Sequence, residues 1–376
     1  MRSPGCARDT AAEEPENTLT TDQRTEAWIK HFQANPLGPY ELHDYCGGGN
    51  FGLVFEALDT RNRQSVAVKV LSPTASSDGV QEFADEGRLL KKLSRSSGVV
   101  DLINSGTESM VLPHVNLEIP IQFHVMELAA GALSELLQDE SRRNSLSWIE
   151  RIGLWRGAIK GIHQMHLARC VHRDLKSSNL LLFVHPFNRT VCKVADLGRA
   201  RDLSEPARLS VQQYAIGRGD LRFAAPESIY LQNSGDAVAF RLEDLYGLGS
   251  ILYELATGQG ITSVALGFGP KLLEMSMKDF AAGQRRDLSG LRSEFNRALT
   301  VFEAEMPKVI RERATSLVRQ LCNPVPEQRR PTFLGRPRAV DSDLTWLMRQ
   351  ADIMIKTLSV PSEKRGRYRK AGGSEK

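Results

Sequence analysis

Part-way along this sequence, after Gly131, the prevailing spacing of apolar residues changes from two to three or four. From about Pro39, YELHDYCGGGNFGLVFEALD reads as two strands around a glycine turn, RNRQ as a second turn and SVAVKVL as a third, valine-rich strand. VQEFADEGRLLKKL, residues 80–93, sets Phe83, Leu89, Leu90 and Leu93 at spacings that suit a helix, and VVDLIN and IQFHVMEL read as two more strands. After Gly131 the texture turns helical. SWIERIGLWRGAIKGIHQMHLA, residues 147–168, repeats its apolar groups every three or four positions, and EDLYGLGSILYELATG, residues 243–258, is apolar almost all round, which marks a buried helix. Further helices with loops are expected over 259–321, and a last amphipathic one at DSDLTWLMRQADIMIKTL, 341–358. A strand-rich part followed by a helix-rich part predicts an α+β protein of two lobes. The first is a small sheet with one helix.

Composition sets the outer bounds. The 376 residues supply ample core for two lobes, and 41% hydrophobic with 25% charged residues is ordinary for a soluble globular chain. A net charge of +4 gives little support to nucleic-acid binding. The five cysteines, at 6, 46, 170, 192 and 322, are odd in number, widely spaced and without a C-x-x-C pair, which argues against a disulfide scaffold or a zinc ribbon and for a reducing compartment. No apolar run approaches the ~18 residues of a membrane helix. The polar N-terminus has no apolar h-region, so residues 1–25 are expected to be a disordered leader, not a secretory signal, and the cytoplasm is the expected location. Residues 333–360 are expected to form a helical extension. Over 361–376 a basic, disordered tail carrying Lys364, Arg365, Arg367, Arg369 and Lys370 would offer, at most, a contact for an anionic partner. No repeat of fixed period is visible.

Gly47, Gly49 and Gly52 form G-x-G-x-x-G, and glycines let backbone amides approach phosphate oxygens without a Cβ in the way. A dinucleotide site needs a helix after the glycines, whereas here a strand follows, FGLVFEA, which favours a glycine-rich hairpin over a nucleotide. The competing reading is a plain hairpin. Lys69 ends VAVK, 17 residues after Gly52, one strand and one turn back under those glycines. A partly buried lysine needs a partner, and Glu86 in the following helix is the natural candidate with Glu82 as rival. VHRDLKSSNLLL, residues 171–182, then sets Asp174, Lys176 and Asn179 close together ahead of a strand-like run. Those residues suit either a solvated loop or a phosphate-transfer site.

The ordered set GGGNFGLV, VAVK, EGRLLKKL, HRDLKSSN, DLG, AAPE and EDLYGLG resembles the protein kinases of the Ser/Thr type over residues 40–332. The resemblance implies a two-lobed kinase fold, 26–332, with an antiparallel sheet and one helix in the N-lobe (about 39–128) and a mostly helical C-lobe (about 129–332). It implies transfer of the ATP γ-phosphate to Ser/Thr hydroxyls of proteins, with ATP and Mg2+. Asp174 would be the catalytic-loop base, Lys176 would offset charge at the γ-phosphate, and Lys69 would meet the α- and β-phosphates. Asn179 and Asp196 would hold the metal. Cys46, Gly47, Gly49, Asn50, Phe51, Gly52 and Val54 would form the roof of the nucleotide site, with Glu86 as partner of Lys69. Met126 would be the gatekeeper, Glu127 and Ala129 the hinge, and Val54, Ala67 and Leu181 the walls around adenine. Glu227 would pair with Arg330, and Asp244 would cap the catalytic loop.

Three departures stand out. Leu197 replaces the usual Phe after the metal-binding acid. Gly219-Asp220 replaces Gly-Thr in the substrate loop, where Asp220 could accept from Lys176 but adds negative charge beside Asp174; Phe223 also stands where Tyr is common. Asn179 and Asp196 are 17 residues apart, so FVHPFNRT is expected to widen a hairpin away from the chemistry. Arg173 before the base implies control by activation-loop phosphorylation, with Ser204, Ser210 and Tyr214 in the right stretch. Cys46 is either a reactive thiol or, more simply, a small filler. Two rival functions are a pseudokinase that binds nucleotide as a scaffold, which Asp220 keeps open, and a small-molecule phosphotransferase of related fold, which would need neither AAPE nor the Glu227–Arg330 lock.

Overall fold

The structure, a computed structural model, describes residues 21–49, 52–112, 117–186, 189–206, 220–267, 270–333, 336–337 and 343–360. Helix α1 (Thr21–Ala34) precedes the strands β1 (Tyr40–Gly48), β2 (Gly52–Asp59) and β3 (Gln64–Leu71), helix α2 (Ser77–Lys92), and the strands β4 (Leu102–Leu112) and β5 (Leu117–Glu127). The five strands form one antiparallel sheet in the order β1-β2-β3-β5-β4. Alternation decides its faces. Val66, Val68 and Val70 of β3 are buried with Phe55 and Phe123 in the upper core, so Ala67 and Lys69 turn to the opposite face, toward the cleft. The register sets Val54 across from Lys69 and Met126 across from Ala67, which gathers wall and cation on that face.

The leader ends sooner than its polarity predicts, because α1 begins at Thr21. Trp28, Ile29 and Phe32 recur on one side of this helix, and Phe32 is fully buried against the sheet. The fourth strand begins at Leu102, three residues later than VVDLIN suggests. Val99 and Val100 instead reach across to β9 (Arg189–Val194): the Val100 N–H donates to the Val194 carbonyl at 2.9 Å.

Below the sheet lie β6 (Gly131–Ala132), the short helices α3 (Leu133–Gln138) and α4 (Glu140–Ser145), α5 (Trp148–Leu167), β7 (Cys170–Val171), β8 (Leu180–His185), β9 and β10 (Arg201–Asp202). Next come α6 (Pro226–Ile229), α7 (Ala237–Thr257), α8 (Ile261–Leu266), α9 (Pro270–Ala281), α10 (Arg292–Glu305), α11 (Arg311–Leu321) and α12 (Thr345–Ser359). Ser147 and Glu150 form a capping box at the start of α5, and Asp236 caps α7, which ends at Gly258 in the left-handed region, φ 76°. These two helices form the axis of the lower lobe, where the buried Trp155 indole donates to the Leu248 carbonyl at 2.8 Å. Of the extension expected over 333–360, α12 is part of that lobe: Leu347, Ala351 and Met354 enter the lower core, and Arg156 of α5 pairs with Asp352 at 2.5 Å. β8 and β9 make the hairpin that FVHPFNRT was expected to widen. The result is a two-lobed α+β fold. Among the described residues no helix is long and apolar enough to cross a membrane.

Candidate active site

The site is built where the sheet meets the helical lobe. Lys69 Nζ donates to Glu86 at 2.9 and 2.7 Å and to Asp196 Oδ1 at 3.1 Å. Glu86, nearly fully buried on α2, is therefore the partner, and Glu82 is not. Burial works against the Lys69 ammonium, but the charges of Asp196 and Glu86 outweigh it and hold the group protonated. Lys69 in turn lowers the Asp196 carboxyl to about 2 against the opposing effect of desolvation, with His172 and Lys176 adding to the same field. Asp196 sits in left-handed backbone, φ 56°, at the end of β9, which turns its carboxylate into the cleft.

α2 is docked by a histidine that sequence reading passed over. His124, opposite Lys69 in the sheet, stacks on Phe83 with ring centroids 4.2 Å apart and meets the Phe83 carbonyl through Nε2 at 2.9 Å. Its other nitrogen bonds Ser105 Oγ at 2.7 Å. Burial lowers its pKa, so the ring stays neutral beside the Lys69 cation. Gly87 lets the ring approach: a Cβ there would stand 2.9 Å from His124 Nε2.

The loop from Val171 to Leu180 is held from below. Asp244 of α7, fully buried, accepts the backbone N–H groups of His172 (3.0 Å) and Arg173 (2.8 Å) and the His166 ring (2.8 Å), as its expected capping role requires. His172 Nε2 meets the Ala195 carbonyl at 3.0 Å, and its Nδ1 accepts from the Asp174 N–H at 3.3 Å. The histidine thus ties the Asp174 loop to the Asp196 strand. Lys176 Nζ bonds Asp174 Oδ2 at 3.0 Å. Asn179 Nδ2 donates to the Asp174 carbonyl at 2.8 Å, while the Asn179 carbonyl accepts from the Ala195 N–H at 2.9 Å. Lys69, Glu86, Asp174, Lys176, Asn179 and Asp196 therefore form one connected cluster.

Above it, the Gly49 N–H donates to the Gly52 carbonyl at 3.0 Å and closes the glycine hairpin. Gly47 has φ 145°, and a Cβ at Gly52 would stand 2.8 Å from the Val70 carbonyl, so both positions need glycine. Cys46 is exposed on the roof strand, which removes the filler reading. Asn50 and Phe51 lie outside the described residues. Val54, Ala67, Met126, Glu127, Ala129 and Leu181 are all half-buried along the cleft. The Glu127 side chain is pinned behind the hinge by Lys193 Nζ at 2.5 Å and the Asp101 N–H at 2.9 Å, a brace between lobes absent from the sequence reading.

Two expectations on the substrate side change, and one contact is new. The buried Glu227 pairs with Arg329, not Arg330: two bonds of 2.5 and 2.6 Å join them, and Arg329 Nε also donates to the Asn323 carbonyl at 2.8 Å. Arg329 ends a 3-10 turn pointing inward, whereas Arg330 follows in extended backbone and stays half-exposed. Asp220 accepts from Arg222 (2.9 and 3.0 Å to Nε), not from Lys176, because the guanidinium two residues on reaches it as a fork while Lys176 is taken by Asp174. Desolvation opposes the Asp220 charge, yet Arg222 outweighs it and keeps the carboxyl below its ordinary range. A third contact was unforeseen: Ser177 Oγ donates to the buried Glu254 at 2.6 Å.

Arg173, in left-handed backbone at φ 67°, donates to the Arg199 carbonyl at 3.2 Å and lies over the Phe240 ring. Ser204 bonds Lys92 of α2 at 3.2 Å. Ser210, Tyr214 and Gly219 lie outside the described residues, as does the basic tail.

A nucleotide and a divalent cation fit this arrangement. The glycine hairpin offers backbone rather than side chains, and Asn179 and Asp196 supply the oxygen donors a hard cation takes. The comparisons agree. The model of the protein kinase domain matches residues 40–334. A probable serine/threonine-protein kinase PknB of Bifidobacterium longum is 29% identical over 238 residues, 61% of this chain and 32% of the relative. Serine/threonine-protein kinase PknD of Mycobacterium tuberculosis is 30% identical over 225 residues, 59% of this chain and 30% of the relative. A probable receptor-like protein kinase of Arabidopsis thaliana is 28% identical over 249 residues, 64% of this chain and 27% of the relative. The chain spans about a third or less of the length of these relatives. Fold, connected site and matched span lead to one conclusion: the chain belongs to the protein kinase family.

Proposed function

We propose that the chain is an active serine/threonine protein kinase that moves the γ-phosphate of ATP to hydroxyls of protein substrates. The observation that carries this reading is the assembled cluster, in which Lys69 bridges Glu86 and Asp196 while Asp174 is fixed by Lys176 and Asn179. Phosphoryl transfer asks for positioning and charge stabilisation more than for covalent chemistry. Asp174 receives or orients the proton of the substrate hydroxyl. Lys176, half-buried beside it, offsets the charge that develops on the transferred group. Lys69, held as a cation, meets the α- and β-phosphates below the glycine hairpin. Asn179 turns its NH2 to the Asp174 carbonyl, which leaves its amide oxygen for a cation shared with Asp196. Magnesium bound there would neutralise phosphate charge. Lys176 two residues after the base favours Ser/Thr over Tyr. The Glu227–Arg329 lock supports a protein substrate over a small molecule, and the free cysteines among the described residues suit a reducing compartment such as the cytoplasm.

The pseudokinase reading rests on one observation, the charged Asp220 paired to Arg222 near the base. Transfer from labelled ATP separates the two. Transfer to Ser or Thr that falls by at least about a hundredfold in Asp174→Asn is the expected result. Nucleotide binding with no transfer by the parent, and transfer restored by Asp220→Thr, would establish the pseudokinase instead.

A further inference from the structure

Helix α1 lies outside the span that the family model matches, yet its aromatic side is joined to the roof strand. Trp28 stacks on Phe32 with centroids 5.7 Å apart; Phe32 meets Phe55 of β2 edge-on at 5.9 Å; Phe55 meets Tyr45 of β1 edge-on at 5.7 Å. The chain of rings ends on the glycine hairpin, because the Tyr45 hydroxyl lies 2.6 Å from where a Cβ at Gly48 would stand. The β1–β2 ladder shifts register on both sides of Tyr45, and bulges re-aim side chains. Tyr45 keeps 39% of its surface exposed, so this placement does not come from burying a core residue. A second tie runs beside the rings: Gln33 Nε2 donates to the His43 carbonyl of β1 at 2.5 Å.

We propose that α1 is a strut that sets the height of the glycine hairpin over the nucleotide, with Phe32, Phe55 and Tyr45 as positioning residues. The inference rests on the reading of that hairpin as the roof of an ATP site. A plain surface helix would stabilise the sheet and leave the hairpin alone. A strut holds β1 and β2 in place, and losing it raises the cost of ordering the hairpin on nucleotide.

The test uses the full chain with Trp28→Ala, Phe32→Ala and, on the exposed side of α1, Lys30→Gln as control. Amide hydrogen exchange is followed over residues 45–54, and KM for ATP, kcat and binding of MgATP are measured. Trp28 is only partly buried, so Trp28→Ala keeps the experiment meaningful should Phe32→Ala fold poorly. Faster exchange in the hairpin, KM for ATP raised about three- to tenfold with kcat kept, and Lys30→Gln unchanged are the expected results. Exchange that speeds only in α1, or a looser hairpin with unaltered MgATP affinity, would overturn the strut. A parent that transfers no phosphate would defeat the kinase reading alone, since exchange and MgATP binding still judge the strut.

Discussion

Two adjacent arginines show how much one residue of offset matters. Arg329 is fully buried, forks onto Glu227, donates to two carbonyls and lies 4.8 Å over the Tyr246 ring. Its neighbour Arg330 was the expected partner, and no count of sequence spacing separates the two. The direction each side chain takes depends on the 3-10 turn Pro326–Arg329, whose last residue faces inward. Removing a buried partner strands the opposite charge, so Arg329→Ala is expected to cost about 3–5 kcal/mol in urea unfolding. Arg330→Ala, which removes a half-exposed charge, should stay within about 1 kcal/mol. Equal losses would mean that the lock is shared. Asp220 teaches the same lesson: its forked bond to Arg222 is a local two-residue turn that motif comparison, aimed at Lys176, passes over.

Helix α2 joins several of these residues into a device. Its Glu86 faces Lys69, its Arg88 pairs with Glu205, and its Lys92 reaches Asp202 at 2.5 Å. The seat of the helix is the ring of His124, fixed by Phe83 and Ser105. Gly87→Ala therefore sets two effects against each other. Alanine favours a helix by about 0.5–1 kcal/mol over glycine, but its Cβ meets a ring that two hydrogen bonds and a stack prevent from moving. Overpacking of this kind costs about 1–3 kcal/mol, so the variant should melt lower and, because Glu86 is the preceding residue, transfer phosphate more slowly. A higher melting temperature with full activity would show that the ring yields. The elements themselves were legible: strands β1 to β3, α2, α5 and α7 follow period and turn chemistry, which are local. The motif residues were legible too, since Lys69, Asp174, Asn179 and Asp196 lie in short fixed strings. What sequence left open is what crosses between elements. The seat made by His124, the Glu127–Lys193 brace and the docking of α1 each depend on which side chain meets which across distant segments, and no periodicity encodes that.

At the scale of the whole molecule the lower lobe carries two acids whose charge it resists, the buried Glu254 and the half-buried Glu243. Burial raises Glu254 of α7 to about 7, against the opposing bond from Ser177 and the field of Arg222. Burial likewise raises Glu243 to about 7, against Arg173 and the Ser228 bond. Both exceed the ordinary glutamate value of 4.5, so between pH 4.5 and about 7 the folded chain holds protons that the unfolded chain has released. Stability therefore falls as pH rises through that window, by up to about 1.4 kcal/mol per unit for each fully coupled group, and the loss is complete above it. Asp196 and Asp244 act at the other end: their lowered values give stability that is present above their ordinary 3.8 and is lost in stronger acid. The unfolding free energy should peak at about pH 4, between the ordinary carboxyl values of 3.8 and 4.5, and decline up to about pH 7. Glu254→Gln tests the assignment through slope rather than level. The substitution keeps an oxygen for Ser177 but buries an amide where Glu254 Oε2 has no hydrogen-bond partner among the described residues, so it costs stability at every pH. What it removes is a titration. A decline between pH 4.5 and about 7 shallower than the parent's assigns part of the pH dependence to Glu254, and an unchanged decline would place that dependence elsewhere in the chain.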